Sequence, residues 1–560
     1  MRALAIAAVF VCLARAGEKD RKYYYEDIYS PFFAIDPDDS SSYKNVRPGS
    51  APGSFLVHKT SSTFRVFTIG GSTTLGYMGF YDLAHGLQLA LPSLNVEVVN
   101  AGMSGYDSYR ELLVEEQVLA YDPDALVFLT GHNDFAIKKS RPPSYWALRV
   151  DDFMSRFSWW EALHRRFDGF MRSRREPTHA ESMAELVRNA RQHARLAAKR
   201  GVKAVFCSPP INYRDNAPEA RLPVGSAAFM RGWIPYLRRD WARARAAWLT
   251  ALDNPGNGDD EEESARAFIL FGLARCEEKL GRLDDARRRY YAVVDSGMGY
   301  NWCAGSCVDA LKTVARDEGA LWADAEGAFR KAAFPRMPGL DMLNDKIHWR
   351  SPYHRLVTEE VIAALRADPK FASLPWDMEN LKRSWSRSSG DVENDETRLH
   401  VEQLIRHATE DSKDEVNLSI QSVVYLQALE ELWPSLTRDP EALFHRARAH
   451  YEQEVARPQL WEDKPMLDVA PAEFDWNFGE FELERGRYEQ AAGCFRKTLA
   501  LEPRAKFALL NLAIAQELAG RRRQAQATLS RAVDADMRHY AEVVSAALGI
   551  PLDPNEAPSQ

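Results

Sequence analysis

Four short motifs in this 560-residue chain combine residue types that together fit acyl transfer. Ser72 stands in Ile69-Gly-Gly-Ser-Thr-Thr74, where two glycines permit a tight turn and let a substrate carbonyl approach the hydroxyl. A serine becomes a nucleophile only beside a base, and the base needs an acid to orient it. Asp345-Lys-Ile-His348 offers both within one turn. A tetrahedral acyl intermediate also needs donors aimed at its oxyanion. The Gly105 backbone N–H, in Asn100-Ala-Gly-Met-Ser-Gly105, and the Asn133 amide, in Gly131-His-Asn-Asp134, are candidates. Each motif alone has a plainer reading, as a turn, a loop glycine, a cap or a surface pair. Competing chemistries lack their anchors: the chain has no GxxxxGK[ST], no GxGxxG after a strand, no GxSxG and no HExxH.

The segments that carry these motifs read as strands. Phe64-Arg-Val-Phe-Thr-Ile69 is an apolar run that stops at the Ser72 glycines, and Val96-Glu-Val-Val-Asn100 stops at the Gly105 turn. Ala125-Leu-Val-Phe-Leu-Thr130 ends at Gly131, and Val202-Lys-Ala-Val-Phe-Cys207 ends at Ser-Pro-Pro210. Helical stretches lie between them, so the pattern predicts an α/β fold with a parallel sheet covered on both faces. Chemistry in such sheets gathers at the carboxyl ends of the strands, where all these breaks lie.

Taken together and in this order, the Ser, Gly, G-x-N-D and D-x-x-H blocks resemble the SGNH (GDSL-type) hydrolase superfamily. The resemblance covers roughly 62–225 and 325–368, and it implies a flavodoxin-like three-layer domain. It also implies Ser72 as nucleophile, His348 as general base and acid, and Asp345 as the residue that orients the imidazole. The Ser72 amide, Gly105 and Asn133 would form the oxyanion hole. The family's usual Gly-Asp-Ser is Gly70-Gly71-Ser72 here. A serine esterase acting through an acyl-serine intermediate is the reading that follows, on an ester-bearing small molecule or a carbohydrate O-acyl group. Acyl transfer to another hydroxyl would use the same residues, and an interaction scaffold with an inactive hydrolase domain is the rival from another class. No metal or organic cofactor is called for.

From about 236 the period turns helical. Gly486 and Gly520 stand 34 apart, as do Ala491 with Ala525 and Phe495 with Leu529, a spacing that resembles tetratricopeptide repeats. Ala274, Gly281, Ala286 and Tyr290 suggest related helices inserted at 236–298, and 441–455 looks like a degenerate copy. The expected division is an irregular lead-in over 17–61, hydrolase parts at 62–235 and 299–373, a linker at 374–400, repeats at 401–545 and a tail at 546–560. Because a polar linker precedes them, the terminal repeats are expected to be dispensable: a chain ending near Ser373 should fold and hydrolyse small esters. A protein partner is the expected ligand of the repeats.

With 72 basic and 80 acidic residues the formal charge is -8, so no global basic field invites nucleic acid. Residues 1–16 read as a secretory leader: a short basic start, the apolar run Ala3–Leu13 and an Ala14-Arg15-Ala16 cleavage site. That run is too short to span a bilayer, so no transmembrane span and an exported protein are expected. Six cysteines are too few for a disulfide scaffold, and Cys303 with Cys307 are left open between a bridge and two thiols. The aromatic stretch Tyr145, Trp146, Phe153, Phe157, Trp159 and Trp160 reads as a lid or as ordinary helix packing.

Overall fold

The structure, a computed structural model, describes residues 31–79, 81–136, 159, 178–218, 222–253, 260–295, 302–387, 421–432 and 471–552. Apart from Trp159, the 145–160 aromatics lie outside these residues, as do the leader and the 441–455 repeat. The chain divides into two compact units. The first comprises the described residues of Met1–Pro210, Asn301–Phe329 and Ile347–Gly390; the second comprises those of Ile211–Tyr300, Arg330–Lys346 and Asp391–Gln560.

The first unit is built on five parallel strands: β4 (Thr63–Gly70), β5 (Asn95–Gly102), β6 (Ala125–Leu129), β7 (Lys203–Cys207) and β8 (Leu321–Ala323). Their order is β5-β4-β6-β7-β8, the 2-1-3-4-5 order of a flavodoxin-like sheet. Every residue of β4 and β6 is buried, because a sheet covered on both faces leaves no polar side to alternate with. Phe67, Ile69, Phe128 and Phe206 point to one face, where they meet Val114, Leu186 and Leu311. The other face is covered by the helix Leu83–Ala90 and by the helix His354–Ala367. The fold class expected from the sequence is the one found. β8 is a strand that the apolar pattern did not announce, since it has only three residues.

Residues 31–61 are not irregular. They form a three-stranded antiparallel sheet of β1 (Phe33–Ile35), β2 (Ser42–Asn45) and β3 (Ser54–Leu56). Strands this short show no period, and aromatic packing holds them: Phe33 and Phe55 meet Phe67 of β4 edge-on at 5.8 and 5.3 Å. Arg65 of β4, almost fully buried, pairs with Glu97 on β5 at 2.7 Å and donates to the Tyr121 and Leu56 carbonyls. One guanidinium thereby fastens β3, β4 and β5 together.

His354 opens its helix from a buried position, with the Tyr77 ring edge-on at 5.3 Å. Burial pulls its pKa down to about 4, against backbone hydrogen bonds that act the other way. An unfolded histidine takes up a proton near about 6.5, whereas the folded one waits until about 4, so stability falls as pH drops through that window. The loss from this residue should be about 2 kcal/mol between pH 7 and 5. Urea midpoints at the two pH values check it, and His354→Gln should lose correspondingly less; an equal loss in both proteins would refute the assignment.

The second unit is helical. The hairpins Asp260–Lys279/Leu283–Asp295, Pro471–Glu484/Tyr488–Leu501 and Lys506–Leu518/Arg522–Asp534 turn on Gly281, Gly486 and Gly520, each left-handed with φ between 72 and 78°. In each the glycine N–H bonds back three residues and the following arginine N–H bonds back five, the Schellman closure of a helix end. Five residues beyond the glycine stand Ala286, Ala491 and Ala525, and nine beyond stand Tyr290, Phe495 and Leu529, all buried. The inserted segment and the terminal segment are therefore repeats of one kind.

They also share one core. Arg275, half-buried in the inserted helices, donates to Gln427 and to the Tyr236 hydroxyl, and Gln427 in turn donates to Glu484 at 2.5 Å. A chain ending near Ser373 would lose Gln427 and Glu484, two of the partners that hold that guanidinium, so the terminal repeats contribute to the packing of this unit. Part of the expected linker is the helix Met378–Arg387, which buries Leu381 and Trp385. Among the described residues no helix is long and apolar enough to cross a membrane.

Candidate active site

Ser72 is the first residue of a one-turn helix, α1 (Ser72–Leu75), which starts where β4 ends. Gly71 precedes it in an extended conformation, and its carbonyl accepts from the Thr74 and Leu75 amides. The turn lifts the serine hydroxyl off the carboxyl edge of the central strand. There it meets His348, whose Nε2 lies 2.8 Å from Ser72 Oγ. The two residues are 276 apart in the chain, and only the folded sheet brings them together.

The Gly block follows β5. Tyr106 N–H closes a turn on the Met103 carbonyl at 3.1 Å, and Gly105 takes the third place of that turn with φ 74°. Any other residue would be strained there. The Gly105 N–H has no backbone acceptor among the described residues. Asn133 comes from α3 (His132–Ala136), which begins just past β6. One N–H of its amide donates to the Tyr106 carbonyl at 2.7 Å, which fixes the amide plane against the Gly105 turn. The same amide packs on Gly71: a Cβ placed there would lie 2.3 Å from Asn133 Nδ2. Strands β4 and β6, which deliver Ser72 and Asn133, are the pair at which the strand order reverses, the usual ligand position in such sheets.

Ser72, Gly71, Asn133, Thr73 and Ile347 line one recess of about 200 Å³, together with residues that motif reasoning did not single out. Among these are Tyr106, Thr130 and Glu111. Glu111, on α2 (Ser108–Val118), is almost fully buried, and burial, reinforced by the nearby Asp134, pushes its carboxyl well above the usual range. A glutamate in a helix normally reads as a solvated face, so nothing in its sequence position marked it. Tyr106 is braced from the amino-terminal sheet, where Arg47 donates to its hydroxyl at 3.0 Å.

Asp345 lies in the second unit's segment Arg330–Lys346, three residues ahead of His348 in sequence. Its carbonyl accepts from the buried Asn212 amide at 3.2 Å, and Asn212 N–H donates to the Lys346 carbonyl at 2.9 Å. Pro210, at the end of the loop after β7, places its carbonyl 3.3 Å from His132 Nε2. Cys303 and Cys307 are joined in a disulfide, both sulfurs inside the first unit's core.

The structure thus brings Ser72, His348 and Asn133 to one edge of the sheet with Gly105 in the adjoining turn. A hydroxyl in contact with an imidazole, beside amide donors at strand ends, can carry out acyl transfer. The first unit has a flavodoxin-like architecture.

No family model matches the chain, and no curated protein does. Solved structures do. An acetylxylan esterase from Geobacillus stearothermophilus is 15% identical, with 54% of this chain and 93% of that chain covered at a TM-score of 0.28. A GDSL-like lipase from Bacteroides thetaiotaomicron is 12% identical, with 55% and 91% covered at a TM-score of 0.27. The APC/C hetero-tetramer Cut9–Hcn1 is 12% identical over 73% of this chain and 74% of that chain, at a TM-score of 0.13. The fold assignment rests on strand order and register, not on these scores.

Proposed function

We propose that the protein is an SGNH-type serine esterase that cleaves an ester, of a small molecule or a carbohydrate O-acyl group, through an acyl-serine intermediate. The observation that carries this reading is the 2.8 Å contact between His348 Nε2 and Ser72 Oγ at the carboxyl edge of the sheet. In the reaction His348 takes the Ser72 proton as Oγ bonds to the ester carbonyl carbon, and the carbonyl oxygen becomes the oxyanion. The Ser72 and Gly105 amides and the second N–H of Asn133 receive that charge. The intermediate collapses, and the departing alkoxide leaves with the proton from His348. A water then repeats the sequence on the acyl-serine and restores the free hydroxyl. Asp345 is assigned the orienting role from its spacing to His348. The helical unit is assigned a macromolecular partner or substrate, and export is assigned from the leader together with the Cys303–Cys307 bond, which suits an oxidising compartment.

The test is labelling with a fluorophosphonate probe followed by peptide mapping. Attachment at Ser72, lost on prior acid denaturation, is the expected result. A protein that hydrolyses no ester and takes no label would instead be a scaffold with an inactive hydrolase domain.

A further inference from the structure

Behind the Asn133 turn lies a chain of buried polar side chains that the acyl-transfer steps do not use. It starts at Asp134, the neighbour of Asn133. The Asp134 carboxylate accepts both the Ser108 N–H, at 3.1 Å, and the Ser108 hydroxyl, at 2.5 Å. Ser108 is the first residue of α2, immediately after the Gly105 turn, so this clamp joins the Gly block to the G-x-N-D block. Ser108 is itself held from behind by α4 (His179–Lys199). Asn189 Nδ2 donates to Ser108 Oγ at 2.9 Å, and His193 Nε2 lies 3.0 Å from the Ser108 carbonyl. Asn189 and His193 are one helical turn apart on the same face of α4. The chain closes on Glu115 of α2, whose carboxyl is 2.6 Å from His193 Nδ1.

None of these groups reaches water. Ser108, His193 and Glu115 are 0% exposed, Asp134 is 1% and Asn189 is 6%. Apolar residues of similar volume would cost less desolvation at these places, so such a network does not arise for stability alone. Its protons are fixed by its partners. A carbonyl only accepts, so His193 Nε2 carries a hydrogen and the remaining proton lies between Nδ1 and the Glu115 carboxyl. Burial pulls the His193 pKa down to about 3 and pushes the Glu115 carboxyl up, both shifts working against charge on the pair.

We infer that Asn189, His193 and Glu115 are positioning residues for the Asn133 amide: they hold Ser108, Ser108 holds Asp134, and Asp134 sets where the neighbouring Asn133 points. The inference rests on the reading of Asn133 as an oxyanion donor. An amide displaced by a fraction of an ångström forfeits much of its charge stabilisation, although the fold survives.

The experiment is a double-mutant cycle on short-chain ester hydrolysis, with the unfolding temperature recorded for every variant. His193→Ala should lower kcat about tenfold with KM little changed. His193→Gln, whose amide still donates to the Ser108 carbonyl, should recover most of that loss. In an Asn133→Ala background the same His193→Ala change should cost less than about twofold, because the group through which it acts is gone. A loss of the same size in both backgrounds would mark a general structural role and overturn the inference, as would an unchanged kcat in His193→Ala. If His193→Ala does not fold, Asn189→Ala takes its place in the cycle under the same criterion. A wild-type protein that is inactive on esters and unlabelled at Ser72 overturns the esterase reading and this inference with it. An active wild type with an additive cycle overturns the inference alone.

Discussion

Ser72→Ala should hydrolyse short-chain p-nitrophenyl esters at least about 10⁴-fold more slowly than the wild-type protein, and His348→Ala should do the same. In the proposed reaction the two side chains act as one proton-transfer unit across a 2.8 Å contact, so removing either should remove the whole unit. The double variant should be no slower than either single one, since a nucleophile without its base and a base without its nucleophile are equally idle. Asp345→Asn should be slowed less than Ser72→Ala, because it misaligns the imidazole and leaves it in place. Initial rates over a range of enzyme concentrations measure all four proteins. A Ser72→Ala protein with wild-type turnover would place the chemistry elsewhere.

Gly71→Asp, which would write Gly-Asp-Ser in place of Gly70-Gly71-Ser72, should lower kcat about 100-fold. The physical reason is local. A Cβ on residue 71 would lie 2.3 Å from Asn133 Nδ2 and 3.1 Å from the Tyr106 carbonyl, so the amide must swing out of its bond to Tyr106. The closer clash is with the tip of a side chain, and the Tyr106 carbonyl has to give only slightly, so the protein can relieve both without unfolding. The unfolding temperature of Gly71→Asp, and of the milder Gly71→Ala, should therefore stay close to wild type while kcat drops. Full activity in Gly71→Asp would mean that Asn133 is not where the oxyanion is stabilised. A side chain at position 71 and the Asn133 amide would compete for the same space.

Much of the sheet was legible because β4, β5, β6 and β7 are apolar runs that stop at glycine, serine or proline. The 34-residue period was equally plain, since Gly486 and Gly520 each occupy a backbone position that favours glycine. What stayed hidden was what short or long-range structure decides. β1, β2, β3 and β8 are three or four residues each, too few for a period to emerge, and the first three are held by aromatic contacts made across the unit. Glu111, Glu115 and His193 carry polar names on helices, where solvent is the ordinary expectation, and only burial separates them from surface residues. The contact between the terminal repeats and the inserted helices was hidden for a similar reason. The linker was read from composition, whereas Arg275 is matched with Gln427 by a contact 152 residues distant. The Ser72–His348 pairing, longer still, was reachable only because the four blocks came in a familiar order.

The repeated glycine closure has a consequence for how this protein could have grown. Between Gly486 and Gly520 the chain leaves one hairpin turn and re-enters the next with the same backbone conformation and the same two hydrogen bonds. A stretch of 34 residues cut at those points has matching ends, so a tandem duplication would join without a strained seam. Gly281 offers the same seam within the inserted segment. The helical unit is thus a length that selection can change in whole steps, by copying or losing a cassette, while the residues within each copy drift. The sheet offers no comparable joint, since removing any one of its central strands would separate the edges that its neighbours hydrogen-bond.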